Sequence, residues 1–134
     1  MGTMVTKGTW IIILPLIFSL AGCGVLPAHV PDGCYRFDDG TPFFKVIGNQ
    51  GFVLPNGRVK RFHIGGWHEL SRRSVEIRPA FYLPGLPAGD PRRGETLPIP
   101  SSAYSTFAFD PRRNAFKVPV AAWGEEEVTL GRPC

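Results

Sequence analysis

This sequence contains few of the residues from which metal and redox sites are built. It has only three cysteines, and no two of them have the Cys-x-x-Cys spacing of zinc and redox motifs. The His-Glu-x-x-His pattern of zinc peptidases and the Gly-x-Ser-x-Gly elbow of serine hydrolases are also missing. The sequence therefore predicts neither an enzyme nor a resident metal or cofactor.

Helical periodicity and strong charge are lacking as well. Beyond residue 33, no segment keeps apolar residues at helical spacing for three turns, which argues against a helical domain. The formal net charge is +4, and loss of an N-terminal region containing Lys7 would lower it to about +3. This excess is too small to favour nucleic acid as a partner. It is compatible with contacts to anionic glycan, lipid headgroups or an acidic protein.

The N-terminal region has the pattern of an export signal. Lys7 precedes an apolar stretch, residues 10–21, and small residues stand before Cys23. This stretch of about 12 residues is shorter than the roughly 20 that a spanning helix needs, and Pro15 interrupts it. We therefore favour a cleaved signal over the alternative, an uncleaved membrane anchor.

Leu20-Ala21-Gly22-Cys23 resembles the lipobox of bacterial lipoprotein precursors. The resemblance implies that residues 1–22 are a signal peptide, that Cys23 is the acylated first residue of the mature chain, and that residues 23–33 are a tether. Several acyl chains hold a protein durably on a membrane. Gly24 replaces the Asp that retains lipoproteins of enteric bacteria in the inner membrane. The resemblance thus favours the periplasmic face of the outer membrane.

Cys34 and Cys134 remain as an even pair once Cys23 is acylated. Because exported proteins reside in an oxidising compartment, we predict a disulfide between them. Such a bond closes a loop of about 100 residues, which is worth on the order of 4 to 5 kcal/mol in the chain-entropy model. Two reactive or metal-binding thiols are the alternative, but no Cys/His cluster accompanies either cysteine.

Residues 34–134 have the sequence pattern of a β protein. Short runs rich in Phe, Val, Ile and Tyr alternate with clusters of Gly, Pro, Asn and Asp. The predicted strands are residues 34–37, 43–47, 52–54, 58–64, 74–83, 104–109, 115–120 and 128–130. Gly65-Gly66 is expected to end the fourth. We predict a single small all-β domain, an antiparallel meander of about seven or eight strands that forms a sandwich or a partly closed barrel, linked by one disulfide.

Two predicted turns have almost the same sequence, Asp90-Pro91-Arg92-Arg93-Gly94 and Asp110-Pro111-Arg112-Arg113-Asn114. Asp in first position, Pro in second and a final residue that tolerates positive φ are typical of a type I turn closed by a bulge. The second turn is flanked by alternating apolar residues, which predicts a β-hairpin.

Arginines at these turns, with tryptophans as possible neighbours, predict the candidate binding surface. Its members are Arg92, Arg93, Arg112, Arg113, Trp67 and Trp123, and Arg72-Arg73 is a further arginine pair. Arginine binds carboxylates of acidic glycans or partner proteins well. If both turns lie at the same end of the domain, their positive potentials add. The alternative is that these are ordinary solvated turns.

The other polar clusters are interpreted structurally. His63 and His68 flank Gly65-Gly66 and could approach one another across a turn, but a zinc site needs three or four ligands, so we predict partly exposed hairpin histidines. Asp38-Asp39 precedes Gly40 and predicts a turn. It does not predict a glycosidase pair, because adjacent strand residues point to opposite faces.

These observations favour a lipid-anchored, non-catalytic envelope protein whose domain binds or supports another envelope component in the periplasm. The expected partners are the membrane, through the lipid anchor, and an envelope protein or anionic glycan, but no nucleic acid. As an alternative, residues 34–40 resemble the first strand and Asp-Asp-Gly-like turn of periplasmic lysozyme inhibitors. That resemblance implies inhibition of a lysozyme-like glycoside hydrolase, although the Ser-Gly-x-x-Tyr segment of the family is missing.

Overall fold

The chain folds as a closed antiparallel β-barrel. A computed structural model describes residues 28–54, 57–69, 72–131 and 134, except for the side chain of Trp123. The strands are β1 (Gly33–Phe37), β2 (Pro42–Ile47), β3 (Gln50–Val53), β4 (Arg61–Glu69), β5 (Arg73–Arg78), β6 (Phe81–Tyr82), β7 (Leu97–Pro98), β8 (Ser105–Asp110), β9 (Ala115–Val120) and β10 (Gly124–Leu130). Eight of them close the barrel in the order β1-β10-β9-β8-β5-β4-β3-β2, and β6 pairs with β7. The prediction of a small all-β antiparallel domain is confirmed.

Turn chemistry explains why neighbouring strands reverse where they do. Gly48 and Asn49, which join β2 to β3, have φ angles of 56° and 60°. Two successive positive φ angles define the type I′ turn, whose twist matches that of a β-hairpin. Ala121–Trp123 forms a short 3-10 turn between β9 and β10. Within the described ranges, no helix is long and apolar enough to cross a membrane.

Aromatic rings fill the interior of the barrel. The buried ones are Tyr35, Phe37, Phe43, Phe44, Phe62, Phe81, Phe107, Phe109 and Phe116. Phe44 lies among them with its centroid 5.3 Å from that of Tyr35, 5.1 Å from Phe62 and 5.4 Å from Phe116. Burying each such side chain contributes roughly 1.5 to 3 kcal/mol. Because side chains occupy this interior, a ligand of this domain would have to bind on the outer surface.

Two of the predicted strands differ from the observed ones. Gly65-Gly66 does not end a strand, because β4 continues to Glu69 and the pairing with β5 shifts register between Ile64 and Trp67, which is a β-bulge. Residues 74–83 are not one strand either. β5 ends at Arg78 because Pro79 has no N–H for the ladder, and β6 belongs to the small second sheet.

The barrel has two chemically different ends. At the N-terminal end, where β1 begins, lie the β2–β3, β4–β5 and β8–β9 connections; the Leu130 N–H donates to the carbonyl of Asn114 (3.0 Å), and Leu130 pairs with Tyr35 of β1. At the opposite end, the long connection between β5 and β8, residues 79–104, crosses the barrel. We call this the crossover end. Phe81 and Leu83 of this connection are fully buried, so the segment is part of the core.

Residues 28–32 also belong to the domain, whereas we predicted that residues 23–33 form a tether. Ala28 and Val30 are buried in the core, and Gly33 already lies in β1. The Tyr35 hydroxyl donates to the carbonyl of Pro31 (2.8 Å), and burial, together with the charge of Asp32, raises the pKa of Tyr35. Sequence periodicity missed this segment because distant contacts also hold it: the Val30 N–H donates to the side-chain oxygen of Asn49, 19 residues away. The lipobox and residues 1–27 lie outside the described residues.

The predicted disulfide between Cys34 and Cys134 is present, with 5.4 Å between the Cα atoms. It joins β1 to the residue that lies beyond β10, and the Gly131 N–H donates to the carbonyl of Cys34 (2.8 Å). Since β1 and β10 are the first and last strands of the barrel, the bond lies at the seam where the sheet closes on itself.

Candidate functional site

The two Asp-Pro-Arg-Arg turns lie at opposite ends of the barrel, so the predicted surface that combines them is wrong. Residues 110–114 connect β8 to β9 at the N-terminal end. Residues 90–94 belong to the long connection and contact the β1–β2 turn at the crossover end, through Arg93. Sequence alone could not place the two turns in space, because their positions depend on β8, which runs from the crossover end to the N-terminal end between them.

Arg93 is a buried structural residue rather than an exposed turn arginine. Its side chain is 10% exposed, and its Nη2 and Nη1 atoms donate to Asp38 (3.0 Å) and Asp39 (2.8 Å). Its Nε donates to Glu126 of β10 (3.2 Å), and the guanidinium carbon lies 4.3 Å from the centroid of the Phe37 ring. Three carboxylates and an aromatic face thus occupy the whole guanidinium group. Arg93 is therefore not available to a ligand.

The Asp38-Asp39-Gly40 sequence forms the predicted turn. The Asp39 carboxylate accepts from the Thr41 N–H (2.9 Å), and this backbone hydrogen bond is the main reason why the pKa of Asp39 is lowered. Both aspartates also bind Arg93, so the turn is fastened to the long connection. Their roles here are structural.

A groove lies on the outer wall of the barrel beside the β8–β9 turn at the N-terminal end. Its volume is about 510 Å³. The basic side chains that line it are Arg72, Arg73, Arg112, Arg113 and Lys117, and the acidic ones are Asp110 and Glu127. We call it the basic groove. Ala108, Phe109 and Ala115 contribute its apolar lining. Positive charge over an apolar floor suits a ligand that has an anionic group next to a less polar part.

Three of the five basic side chains already have carboxylate partners. Arg72 forms a bidentate pair with Glu125 of β10, and this hydrogen bond lowers the pKa of Glu125. Arg113 pairs in the same way with Glu127, and Arg73 donates to Glu69 of β4 (3.2 Å). All three arginines are about half exposed, so these pairs contribute little to stability.

Arg112 and Lys117 differ from these three arginines in their surroundings. Both are exposed, and within the part of the chain that the structure describes neither forms an ion pair. Lys117 faces outward because it alternates with Phe116 and Val118, which face the core. The predicted surface omitted Lys117, whereas Arg72 and Arg73 were among the arginine pairs considered for it. The β8–β9 hairpin places Lys117 opposite Ala108, close to the turn that contains Arg112. The predicted hairpin register could therefore have added Lys117 to the predicted surface.

Of the two tryptophans in the predicted surface, the structure describes the side chain of Trp67. Trp67 lies in β4 at the bulge, with its ring centroid 6.2 Å from that of Phe109, and the Arg73 guanidinium lies 5.1 Å from the Trp67 ring. The Trp67 ring therefore packs against Arg73, which is one of the basic residues of the groove. The side chain of Trp123 lies outside the described residues. Arg92 is exposed at the crossover end and forms hydrogen bonds with Asp90 of its own turn.

His63 and His68 lie on the same strand, not across a turn. They line a second groove of about 380 Å³ together with Glu76. His68 Nε2 is 3.1 Å from Glu76, whose pKa is lowered by Arg78 first and by His68 second. Among the residues that the structure describes, no group of three or more His, Cys, Asp or Glu side chains is placed to hold a metal ion.

No protein-family model, curated protein or solved structure matches this chain.

Proposed function

We propose that this chain is a lipid-anchored cell-envelope protein at the periplasmic face of the outer membrane, with a small non-catalytic β-barrel that binds an anionic envelope component. The observation that carries the proposal is Leu20-Ala21-Gly22-Cys23 behind a short apolar stretch. The Cys34–Cys134 bond supports it, because disulfides persist in oxidising compartments outside the cytosol.

The basic groove is the part of the barrel best suited to binding. Arginine donates several N–H groups in a fixed plane that matches carboxylate and phosphate oxygens, and Lys117 adds a point charge. The exposed pairs with Glu125 and Glu127 can open at small cost, because exposed ion pairs are weak. An anionic ligand can then replace either carboxylate.

Acylation is tested by expressing the full chain and Cys23→Ser in a bacterium that processes lipoproteins. The wild type is expected in the membrane fraction with a mature N-terminus at an acylated Cys23, detected by mass spectrometry. Cys23→Ser is expected to accumulate as the uncleaved precursor. Cys34→Ser is the matched control, since it removes a cysteine outside the lipobox and leaves cleavage intact. An unmodified Cys23 in the mature wild-type protein would contradict the proposal.

A further inference from the structure

We infer that the basic groove binds the anionic headgroups of the membrane on which the chain is anchored. The inference rests on the proposed acylation of Cys23 and assigns the occupant of the groove. It follows from the position of the groove relative to the point where the chain enters the barrel, and from the charges that this end leaves without partners.

The chain enters the barrel at the end that carries the groove. Asn49 of the β2–β3 turn donates its side-chain amide to the carbonyl of Ala28 (2.5 Å), so residue 28 lies at the N-terminal end. Five peptide units connect Cys23 to Ala28, and such a segment spans at most about 18 Å. An acylated Cys23 therefore keeps this end of the barrel within reach of the headgroups, with the crossover end directed away from the bilayer.

The same end has free positive charge. Arg112 and Lys117 are exposed and, in the described ranges, form no ion pair, while Arg72 and Arg113 have weak exposed pairs. At the crossover end, Arg93 is buried among three carboxylates and Asp38 exposes 84% of its side chain, while Arg58 and Lys60 are exposed in the β3–β4 connection. Both ends therefore have exposed cations, but only those of the N-terminal end lie where the chain enters the barrel. The barrel thus presents cations where an anchored domain meets the bilayer. Each basic residue near an anionic surface strengthens binding about fivefold.

The chemistry of the groove fits a phosphate-containing headgroup. Guanidinium groups donate two hydrogen bonds to phosphate oxygens, and four arginines and Lys117 line the groove. An anchored protein also meets such headgroups at high local concentration, so a weak contact is sufficient to orient the domain.

The test uses the mature chain, residues 23–134, with Cys23→Ser. All strands of the barrel lie within residues 33–130, so this chain retains the domain without acyl groups. Binding is measured by co-sedimentation with vesicles of phosphatidylglycerol and phosphatidylethanolamine, and with vesicles of phosphatidylcholine alone. We expect binding to the anionic vesicles only, and we expect it to weaken as salt is raised. The double variant Arg112→Gln with Lys117→Gln is expected to bind about 30-fold less.

The matched control is Arg58→Gln with Lys60→Gln, which removes the same charge from two exposed residues in the β3–β4 connection at the crossover end. It is expected to bind within about twofold of the chain with the unmodified groove, because these two charges lie at the opposite end of the barrel from the contact. Equal loss in both double variants, or no loss in the groove variant, would overturn the inference.

A second measurement uses the acylated protein in the same vesicles. Amide hydrogen exchange at residues 110–114 should slow on anionic vesicles relative to neutral ones, and exchange at residues 38–41 should not change. Equal exchange at residues 110–114 on both vesicles would overturn the inference for the anchored state. Because co-sedimentation uses unacylated protein, its failure is distinguishable from a failure of acylation, which mass spectrometry of Cys23 detects separately.

Discussion

The turns at residues 90–94 and 110–114 are nearly identical in sequence, yet their last arginines have opposite surroundings. Arg93 is 10% exposed and binds Asp38, Asp39 and Glu126, whereas Arg113 is 55% exposed and pairs with Glu127 alone. The backbones differ as well: Asn114 has a φ of 49°, and Gly94 is not among the residues with positive φ. The role of each arginine is set by the end of the barrel on which its turn lies. Arg93 holds the long connection onto the β1–β2 turn, whereas Arg113 lies at the surface.

The largest effect is expected from the covalent bond at the N-terminal end. The double variant Cys34→Ser with Cys134→Ser removes a link that spans 100 residues, and loss of that constraint should lower the free energy of unfolding by about 4 to 5 kcal/mol. Urea denaturation of the mature chain measures it. A midpoint equal to that of the oxidised wild type would show that non-covalent contacts alone hold the seam.

The comparison of the two arginines gives the next largest effect. Arg93→Ala leaves three carboxylates without their common partner and should lower the free energy of unfolding by about 2 to 4 kcal/mol, somewhat below the range for fully buried pairs because Asp38 is exposed. Arg113→Ala is the matched control and should cost about 0.5 kcal/mol. Both are measured by urea denaturation. Similar losses in the two variants would remove the proposed distinction between the ends.

Substitutions of Asn114 test whether the turn at residues 110–114 needs a left-handed backbone conformation. Asn114→Ala should destabilise the protein by about 1 kcal/mol, because residues other than Gly, Asn and Asp rarely adopt its positive φ. Asn114→Gly should match the wild type or exceed it slightly. Thermal unfolding of the two variants is sufficient to compare them. If the alanine variant is as stable as the glycine variant, the turn does not need the left-handed conformation.

Acid is expected to destabilise the crossover end by protonating Asp39 and Asp90. Backbone hydrogen bonds from Thr41 and Arg92 are the main cause of the lowered pKa values of Asp39 and Asp90. A carboxyl whose pKa is lower in the folded state stabilises the fold above its unfolded pKa of about 4, and this contribution is lost as pH falls through the folded value. Asp39→Asn should therefore flatten the fall in stability below about pH 4. NMR titration of the Asp39 carboxyl measures the shift directly, and a pKa at or above the ordinary value would contradict it.

Local sequence patterns predicted the elements that depend on local chemistry. The alternating run of residues 115–120 is β9, the Asp38-Asp39-Gly40 sequence is a turn, and counting cysteines identified the Cys34–Cys134 pair. The closed barrel falls within the predicted class, an antiparallel all-β meander.

The features that the sequence did not predict depend on contacts between residues far apart in the chain. Arg93 looks like Arg113 in sequence, and its partners Asp38 and Asp39 are more than 50 residues away. Gly65-Gly66 was predicted as the end of a strand, because a β-bulge differs from a turn only in how the neighbouring strand pairs. The basic groove joins residues of the β4–β5 and β8–β9 hairpins and of β10, so no window of the sequence contains it.

The position of the disulfide has a mechanical consequence for an anchored chain. If Cys23 is acylated as proposed, a pull on the lipid reaches the domain first at the buried Ala28 and Val30, and then at Gly33 and Cys34, the first residues of β1. Without a covalent bond there, the force would peel β1 from its neighbours one hydrogen bond at a time. Because Cys34 is bonded to Cys134, the load passes immediately to the chain beyond β10, on the other side of the seam. The two strands share the force from the start, so thermal motion of the membrane would move the barrel as one body instead of unravelling it.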